Sequence, residues 1–303
     1  MKWQRGAADN QDVIDERGSS SAGGGGGGFS FPMGTGGRVG GGAGLIGVIV
    51  AVAIALLGGG SSGGGLTFPQ VQAPFGTGVQ SPSGGAIPRS QDPEKDLRDF
   101  SAYVFTNVQK TWAGLFEQQG RTYEHAKLVL YRRGVRTACG AASSSAGPFY
   151  CPGDQRVYLD LSFYDEMRSS LGASGDFAWA YVIAHEMGHH VQQQLGTEAQ
   201  VRRLQGDDPS KRNALSVRLE LQADCYAGAW AHRVASSLQA GDAEEALGAA
   251  SAVGDDRLQK QATGQIRPDT FTHGTSEQRV RWFRAGQDSG EPAACDTFSA
   301  DSL

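Results

Sequence analysis

The chain has 303 residues, a net charge of −5 and four cysteines. That length suits one large domain or two modest ones, and the acidic balance excludes the basic footprint of a nucleic-acid-binding protein, leaving ordinary solubility as its reading. Of 45 glycines, 22 fall in the first 66 residues, so a packed core has to start further on, from about Asp92.

Residues 1–38 are polar, contain a glycine run at Gly23–Gly28 and carry nearly balanced charges. They offer too little apolar surface to offset chain entropy and read as a disordered tail. From Val39 to Gly60 no charged residue occurs, and Leu45–Leu57 is almost wholly aliphatic. At helical rise residues 39–60 cover roughly 30 Å, the hydrocarbon thickness of a bilayer. A signal peptide would need a short basic leader, and a buried core helix would need structured flanks, so a single transmembrane helix is the preferred reading. Lys2, Arg5, Arg17 and Arg38 precede this segment and no charge follows until Arg89. The positive-inside rule then places the amino terminus in the cytoplasm and the remainder outside the cell membrane. Residues 61–91, rich in Gly, Ser and Pro, read as a flexible linker to a domain at 92–303.

Asp92-Pro93-Glu94 opens a helix that keeps apolar spacing from Leu97 to Phe116 and runs to about Gly120. Lys127–Tyr131, Pro148–Tyr150 and Val157–Leu161 have strand character, with a small-residue loop at Gly140–Gly147. Helices are expected over Phe163–Leu171, Asp176–Leu195 (with Gly196 as its stop) and about Ser210–Leu238, and a fourth after Asp242. Several helices and a small sheet make an α+β domain around one core.

Cys139, Cys151, Cys225 and Cys295 form no Cys-x-x-Cys pair, so neither a zinc finger nor a thioredoxin-like site is indicated. An extracytoplasmic domain favours two disulfides, for which three connectivities exist; in a reducing compartment all four would be small buried apolar residues. Cys139–Cys151 would close a short hairpin-like excursion. Cys225–Cys295 would staple the carboxy terminus against the helix that carries Cys225. Together they are the preferred connectivity.

The chemistry concentrates in His185-Glu186-Met187-Gly188-His189. Histidines four apart share one helix face and can turn two imidazole nitrogens to one metal ion. Glu186, one residue on, can reach a water at that metal as general base. His190 points away round the helix and is read as non-ligating. Catalytic zinc takes a third protein ligand, and Glu220-Leu221-Gln222-Ala223-Asp224 offers two carboxylates in an otherwise apolar helical stretch, where unpartnered acids are costly. Glu220 is assigned as the third ligand and Asp224 as hydrogen-bond acceptor for a ligand histidine, His185 being preferred. His125 and His232 read as ordinary surface or capping histidines.

These residues resemble a known family, the putative neutral zinc metallopeptidases of bacterial membranes. The resemblance runs through Gly147-Pro148-Phe149-Tyr150-Cys151-Pro152, Val157-Tyr158-Leu159-Asp160, His185 to Gln192, Glu220 to Tyr226 and His273-Gly274-Thr275-Ser276. Trp3-Gln4 and Asp15-Glu16-Arg17-Gly18 also look like that family's amino terminus, and the glycine run Gly23–Gly28 is the main departure. It implies a gluzincin-like fold: an active-site helix, a second helix bearing the glutamate ligand, and a sheet whose edge strand receives substrate. His273 and Arg279 resemble a His-and-Arg segment of related membrane-associated gluzincins, which makes them candidates for stabilising the oxyanion. For His273 a fourth zinc position or a purely structural role stays open. The expected activity is a membrane-anchored, Zn²⁺-dependent endopeptidase acting on peptide or protein substrates, with no nucleic-acid partner. The alternatives are a zinc-bound but inactive membrane scaffold, and a cytoplasmic protein whose apolar segment is a buried helix.

Overall fold

The structure is a computed structural model and describes residues 1–3, 11–18, 87–143 and 146–303. The expected transmembrane helix at 39–60, most of the linker and the glycine run lie outside the described residues. Among the described residues no helix is long and apolar enough to cross a membrane.

The amino-terminal tail departs from expectation at once. Val13–Asp15 forms strand β1, an edge strand of the main sheet, parallel to β2. The disordered reading therefore fails for residues 1–3 and 11–18. Met1 is buried in the main core and Trp3 packs against it, with its ring 5.4 Å from that of Phe100. The Arg17 guanidinium is buried between Asp15 and Asp92, with Nη2 2.7 Å and 2.5 Å from their carboxylates. Three residues of strand and a few anchors were invisible to composition, because their partners lie far along the chain: Asp92 for Arg17, Phe100 for Trp3 and Leu128 for Val13.

Helix α1 (Lys95–Gln118) leads to β2 (Lys127–Tyr131), then to a small antiparallel hairpin of β3 (Gly134–Thr137) and β4 (Gly140–Ser143). Strands β5 (Phe149–Cys151) and β6 (Arg156–Asp160) complete a four-stranded sheet of order β1-β2-β6-β5, parallel except for the antiparallel edge strand β5. Strand side chains alternate between faces. Leu128, Leu130, Val157 and Leu159 enter the main core, while Val129, Tyr131, Phe149 and Tyr158 face the smaller cluster to which β3 contributes Val135. Both faces of β2 and β6 are covered, which is why their sequences read as apolar runs.

Helices α2 (Ser162–Ser169) and α3 (Asp176–Leu195) follow, then α4 (Thr197–Asp207), α5 (Arg212–Arg233), α6 (Asp242–Ala252), α7 (Asp255–Thr263) and α8 (Ser276–Ser289). The fold is thus helix-rich α+β, as expected, but three helices occupy the stretch where one was read after Asp242. Helix α3 is buried on nearly every face, which explains its lack of polar stripe, and it packs against α1, α5 and α6. Helices α5 and α8 approach very closely through paired glycines. A Cβ on Gly286 would stand 2.8 Å from Ala229 N and closer still to the Cys225 carbonyl; one on Gly228 would stand 2.8 Å from Gln287 N. Disulfides join Cys139 to Cys151 and Cys225 to Cys295, the preferred connectivity. The second ties the chain after α8 to the middle of α5.

Candidate active site

Helix α3 carries His185, Glu186 and His189, and α5 brings Glu220 opposite them. The contact between these helices is fixed by Gly188, where a Cβ would lie 3.1 Å from the Ala223 Cα. Glu220, almost one turn before Ala223, places Oε2 3.2 Å from His185 Nε2 and Oε1 3.6 Å from His189 Nε2. One donor atom from each of the three residues lies within 4.8 Å of the other two.

Both imidazoles are held from behind. His185 Nδ1 is 2.8 Å from Asp224 Oδ1, and His189 Nδ1 is 2.9 Å from Gln192 Oε1. These acceptors favour a proton on each Nδ1, so both Nε2 lone pairs turn toward Glu220. Two imidazole nitrogens and one carboxylate, with both rings oriented by hydrogen bonds, fit the three-ligand set of a catalytic zinc site. The charges agree. Burial pulls the His185 pKa down, but Asp224 and Glu220 outweigh it and raise the value to about 10. Glu220 faces Nε2 and Asp224 backs Nδ1, a concentration of negative charge that also favours a divalent cation. Burial pushes the Glu220 carboxyl up, yet His273, His189 and His185 outweigh it and hold it well below the carboxylate range.

Asp224 was expected to orient His185, and the structure gives it that contact together with three more. It is fully buried and accepts from Tyr181 Oη at 2.5 Å and from Arg279 Nε and Nη2 at 2.9 Å each. Burial raises the Asp224 pKa, but the Arg279 and His185 charges outweigh it and keep it lowered. This bidentate pair argues against the oxyanion role expected for Arg279. Its Nε and Nη2 are committed to Asp224, and among the described residues Nη1 reaches only the Val253 carbonyl, at 3.4 Å. A capping box of Thr275 with Gln278 starts α8 so that Arg279 lands behind His185.

His273 lines the same pocket but stands outside the trio of converging donors. Asp255 fixes its loop, with Oδ2 accepting from the backbone N–H groups of Thr272, His273 and Gly274 at 2.7, 2.6 and 3.1 Å. The ring Nδ1 faces Thr272 Oγ1 at 3.0 Å and Asp255 Oδ1 at 3.3 Å. Burial pulls the His273 pKa down, and the charges of Glu220 and Asp255 outweigh it and raise it.

Glu186 lines the pocket beside the trio and is only 8 % exposed. Burial pushes its carboxyl up to about 7, with nearby His185 and the backbone of Tyr150 on edge strand β5 opposing. Tyr150 is itself tied to α3. Its hydroxyl lies 2.9 Å from His190 Nδ1 and also contacts Gln193. His190 therefore has a buried structural partner, consistent with its non-ligating reading. His125 pairs with Asp12, and His232 faces the Gln287 carbonyl, so neither takes part in the site.

Residues missed in the sequence are Gln192, Tyr181, Tyr150 and Asp255. Gln192 had a legible signal, a polar residue one turn past His189 on a helix with no exposed face. Its Nε2 donates to the Leu219 carbonyl at 2.7 Å, locking α3 to the helix that supplies Glu220. A second acidic group, Asp176, Asp242 and Glu245, lies away from the site, and the Met1 amine occupies it, 2.9 Å from Asp176 Oδ1.

The pocket, of about 170 Å³, runs along this cluster, with Phe163, Leu171, Val182, Val253 and Leu258 contributing apolar wall. A helix-borne His-Glu-x-x-His, a carboxylate from a second helix and a flanking edge strand define the class of zinc metallopeptidases. The chain belongs to the family described as putative neutral zinc metallopeptidase, which it matches over residues 1–298. It is 47% identical over 302 residues to uncharacterized protein YpfJ of Escherichia coli (strain K12), covering 98% of this chain and 99% of that one. It is 44% identical over 194 residues to uncharacterized protein Mb2605 of Mycobacterium bovis and to Rv2575 of Mycobacterium tuberculosis, covering 60% of this chain and 65% of each relative. No solved structure matches the chain.

Proposed function

We propose that this chain is a zinc-dependent endopeptidase, associated with a membrane through residues 39–60, in which His185, His189 and Glu220 hold one Zn²⁺ and Glu186 is the general base. The convergence of three donor atoms within 4.8 Å of one another, next to a buried glutamate, carries this reading. Zinc bound there would supply Lewis acidity toward a peptide carbonyl and a lowered pKa for water. The chain's own residues do the rest. Glu186, whose burial favours proton exchange near neutrality, takes a proton from the attacking water and returns it to the leaving amine. Tyr150, on the strand that flanks Glu186, lines the same pocket. Edge strand β5 offers unpaired backbone groups to an extended peptide, the geometry of strand addition. Asp224 keeps His185 in the tautomer that leaves Nε2 available, and Arg279 keeps Asp224 ionised. His273 is the candidate donor to the developing oxyanion: no described residue takes its Nε2, and Asp255 holds the ring from the other side. The two disulfides support an oxidising compartment for the domain.

The test uses the purified full chain. Bound zinc is measured, and cleavage of an unfolded protein is compared between the wild type and Glu186→Gln. Stoichiometric zinc in both, with cleavage lost in the variant, is expected. Glu220→Ala should lose zinc while His273→Ala keeps it and loses rate. Full zinc occupancy with no cleavage of any substrate by the wild type would favour the inactive scaffold.

A further inference from the structure

One acid in the pocket has no place in this chemistry. Glu198 stands in the first turn of α4, just beyond the helix that carries the histidines, and lines the same pocket. Its side chain is 9 % exposed, and among the described residues its ionic partner is the half-exposed Arg202, whose Nη1 lies 2.5 Å from Oε1. The other oxygen, Oε2, is buried and has no hydrogen-bond partner among the described residues. His189 and Tyr150 line the same pocket. Leaving a buried carboxylate oxygen unpaired costs on the order of 1–3 kcal/mol or more, which a cationic partner placed against it would offset.

We infer that Glu198 recognises a primary ammonium group of the peptide at the His189 end of the pocket, an inference that rests on the peptidase reading. The chemistry narrows the ligand. A guanidinium binds a carboxylate best through both oxygens as a fork, but Arg202 already takes Oε1. One free oxygen suits a compact ammonium. A lysine side chain and a free α-amine both supply that group.

Binding and cleavage are measured separately. The zinc-loaded full chain carrying Glu186→Gln is titrated with four fluorescent peptides: lysine or its uncharged isostere norleucine at the central position, each with a free or acetylated amino terminus. The ammonium-bearing peptide is expected to bind roughly tenfold or more tighter than its neutral counterpart, as for a charge-assisted hydrogen bond. Glu198→Gln in the same background should bring that ratio close to one with zinc content intact. Dependence on lysine marks a side-chain site; dependence on the free terminus marks an α-amine site and an aminopeptidase-like pose. Arg202→Ala, which frees Oε1, should raise the affinity for an arginine peptide relative to lysine. Equal binding of all four peptides, no binding at all, or a preference that survives Glu198→Gln overturns the inference. Cleavage by the chain with Glu186 intact is scored independently: no cleavage together with Glu198-dependent binding defeats the peptidase reading alone.

Discussion

The contact between α5 and α8 gives a severe test of how the site is supported. Replacing Gly286 by alanine puts a methyl 2.8 Å from Ala229 N and closer still to the Cys225 carbonyl, where Cβ contacts under 3.0 Å are essentially never seen. Neither obstacle is the end of a flexible side chain. Both belong to the backbone of α5, which the Cys225–Cys295 disulfide also holds. Relief requires the helices to part. Overpacking of this kind costs about 3 kcal/mol, and the gain in helix propensity from glycine to alanine returns about 1 kcal/mol, for a net loss of about 2 kcal/mol. For a domain of this size that lowers the melting temperature by roughly 4–8 °C. Parting the helices also draws Arg279 on α8 away from Asp224 on α5, so zinc affinity should fall although no ligand has changed. Gly206 in α4 is the control: a Cβ there meets nothing within 4 Å. Gly206→Ala should be neutral or stabilising by up to about 1 kcal/mol. Thermal and denaturant unfolding of both variants, with a chelator competition for zinc, provide the assay. A Gly286→Ala protein as stable as Gly206→Ala and with wild-type zinc affinity would refute this account.

Asp224→Asn removes the charge that balances buried Arg279. It should cost about 3–5 kcal/mol of stability, as breaking a buried pair does, and weaken zinc binding by roughly 10–100-fold through loss of the His185 support; unchanged zinc affinity would exclude the orienting role. Replacing Cys225 and Cys295 by serine opens a closure spanning 70 residues, against 12 for Cys139–Cys151. Loop entropy then sets the losses at about 4 and about 3 kcal/mol, and denaturant curves showing the reverse order would count against it. The amino-terminal arm should detach in acid. Burial pushes the Asp12 and Asp92 carboxyls up, but hydrogen bonds from Lys127 and His125 to the first, and from Arg17 to the second, outweigh it and lower both pKa values. Groups depressed in the folded state contribute stability above the ordinary aspartate pKa, and that contribution is lost as pH falls through the folded values. Hydrogen exchange at Val13–Asp15, corrected for its intrinsic pH dependence, should lose protection before the central strands do. Arm and core deprotecting together would contradict this.

The sequence disclosed the site more fully than the fold that holds it. His185, His189, Glu220 and Asp224 were legible because carboxylates and imidazoles at one-turn spacing inside apolar helices demand a partner. Helices α3 and α5 and strands β2 and β6 were legible for the same apolar density. Strands β3 and β4 were not, since Gly134–Thr137 and Gly140–Ser143 carry almost no apolar alternation and the disulfide-bonded Cys139 sits in the turn between them. Helix α4 is polar on most of its surface and hid between two stronger signals. Arg279 showed the general limit. Its charge was visible, but whether it faced substrate or Asp224 was decided by two glycines, Gly228 and Gly286, that set the distance between α5 and α8.

Strand β1 bears on more than the sheet. Arg17 and Asp92 meet at 2.5 Å, so the chain just before residue 19 and the chain at residue 92 are held together. Two segments in contact cannot lie on opposite sides of a barrier. Whatever path residues 19–86 take, Val13–Asp15 and the His185–Glu220 cluster share one compartment as long as β1 stays paired. The aliphatic run at 39–60 can then serve as an anchor only if the chain returns to the face from which it left. An amino terminus on one side of a membrane with the domain on the other would require β1 to leave β2. A cysteine placed beside Val13 and one placed near the pocket should be labelled, or shielded, together in intact cells.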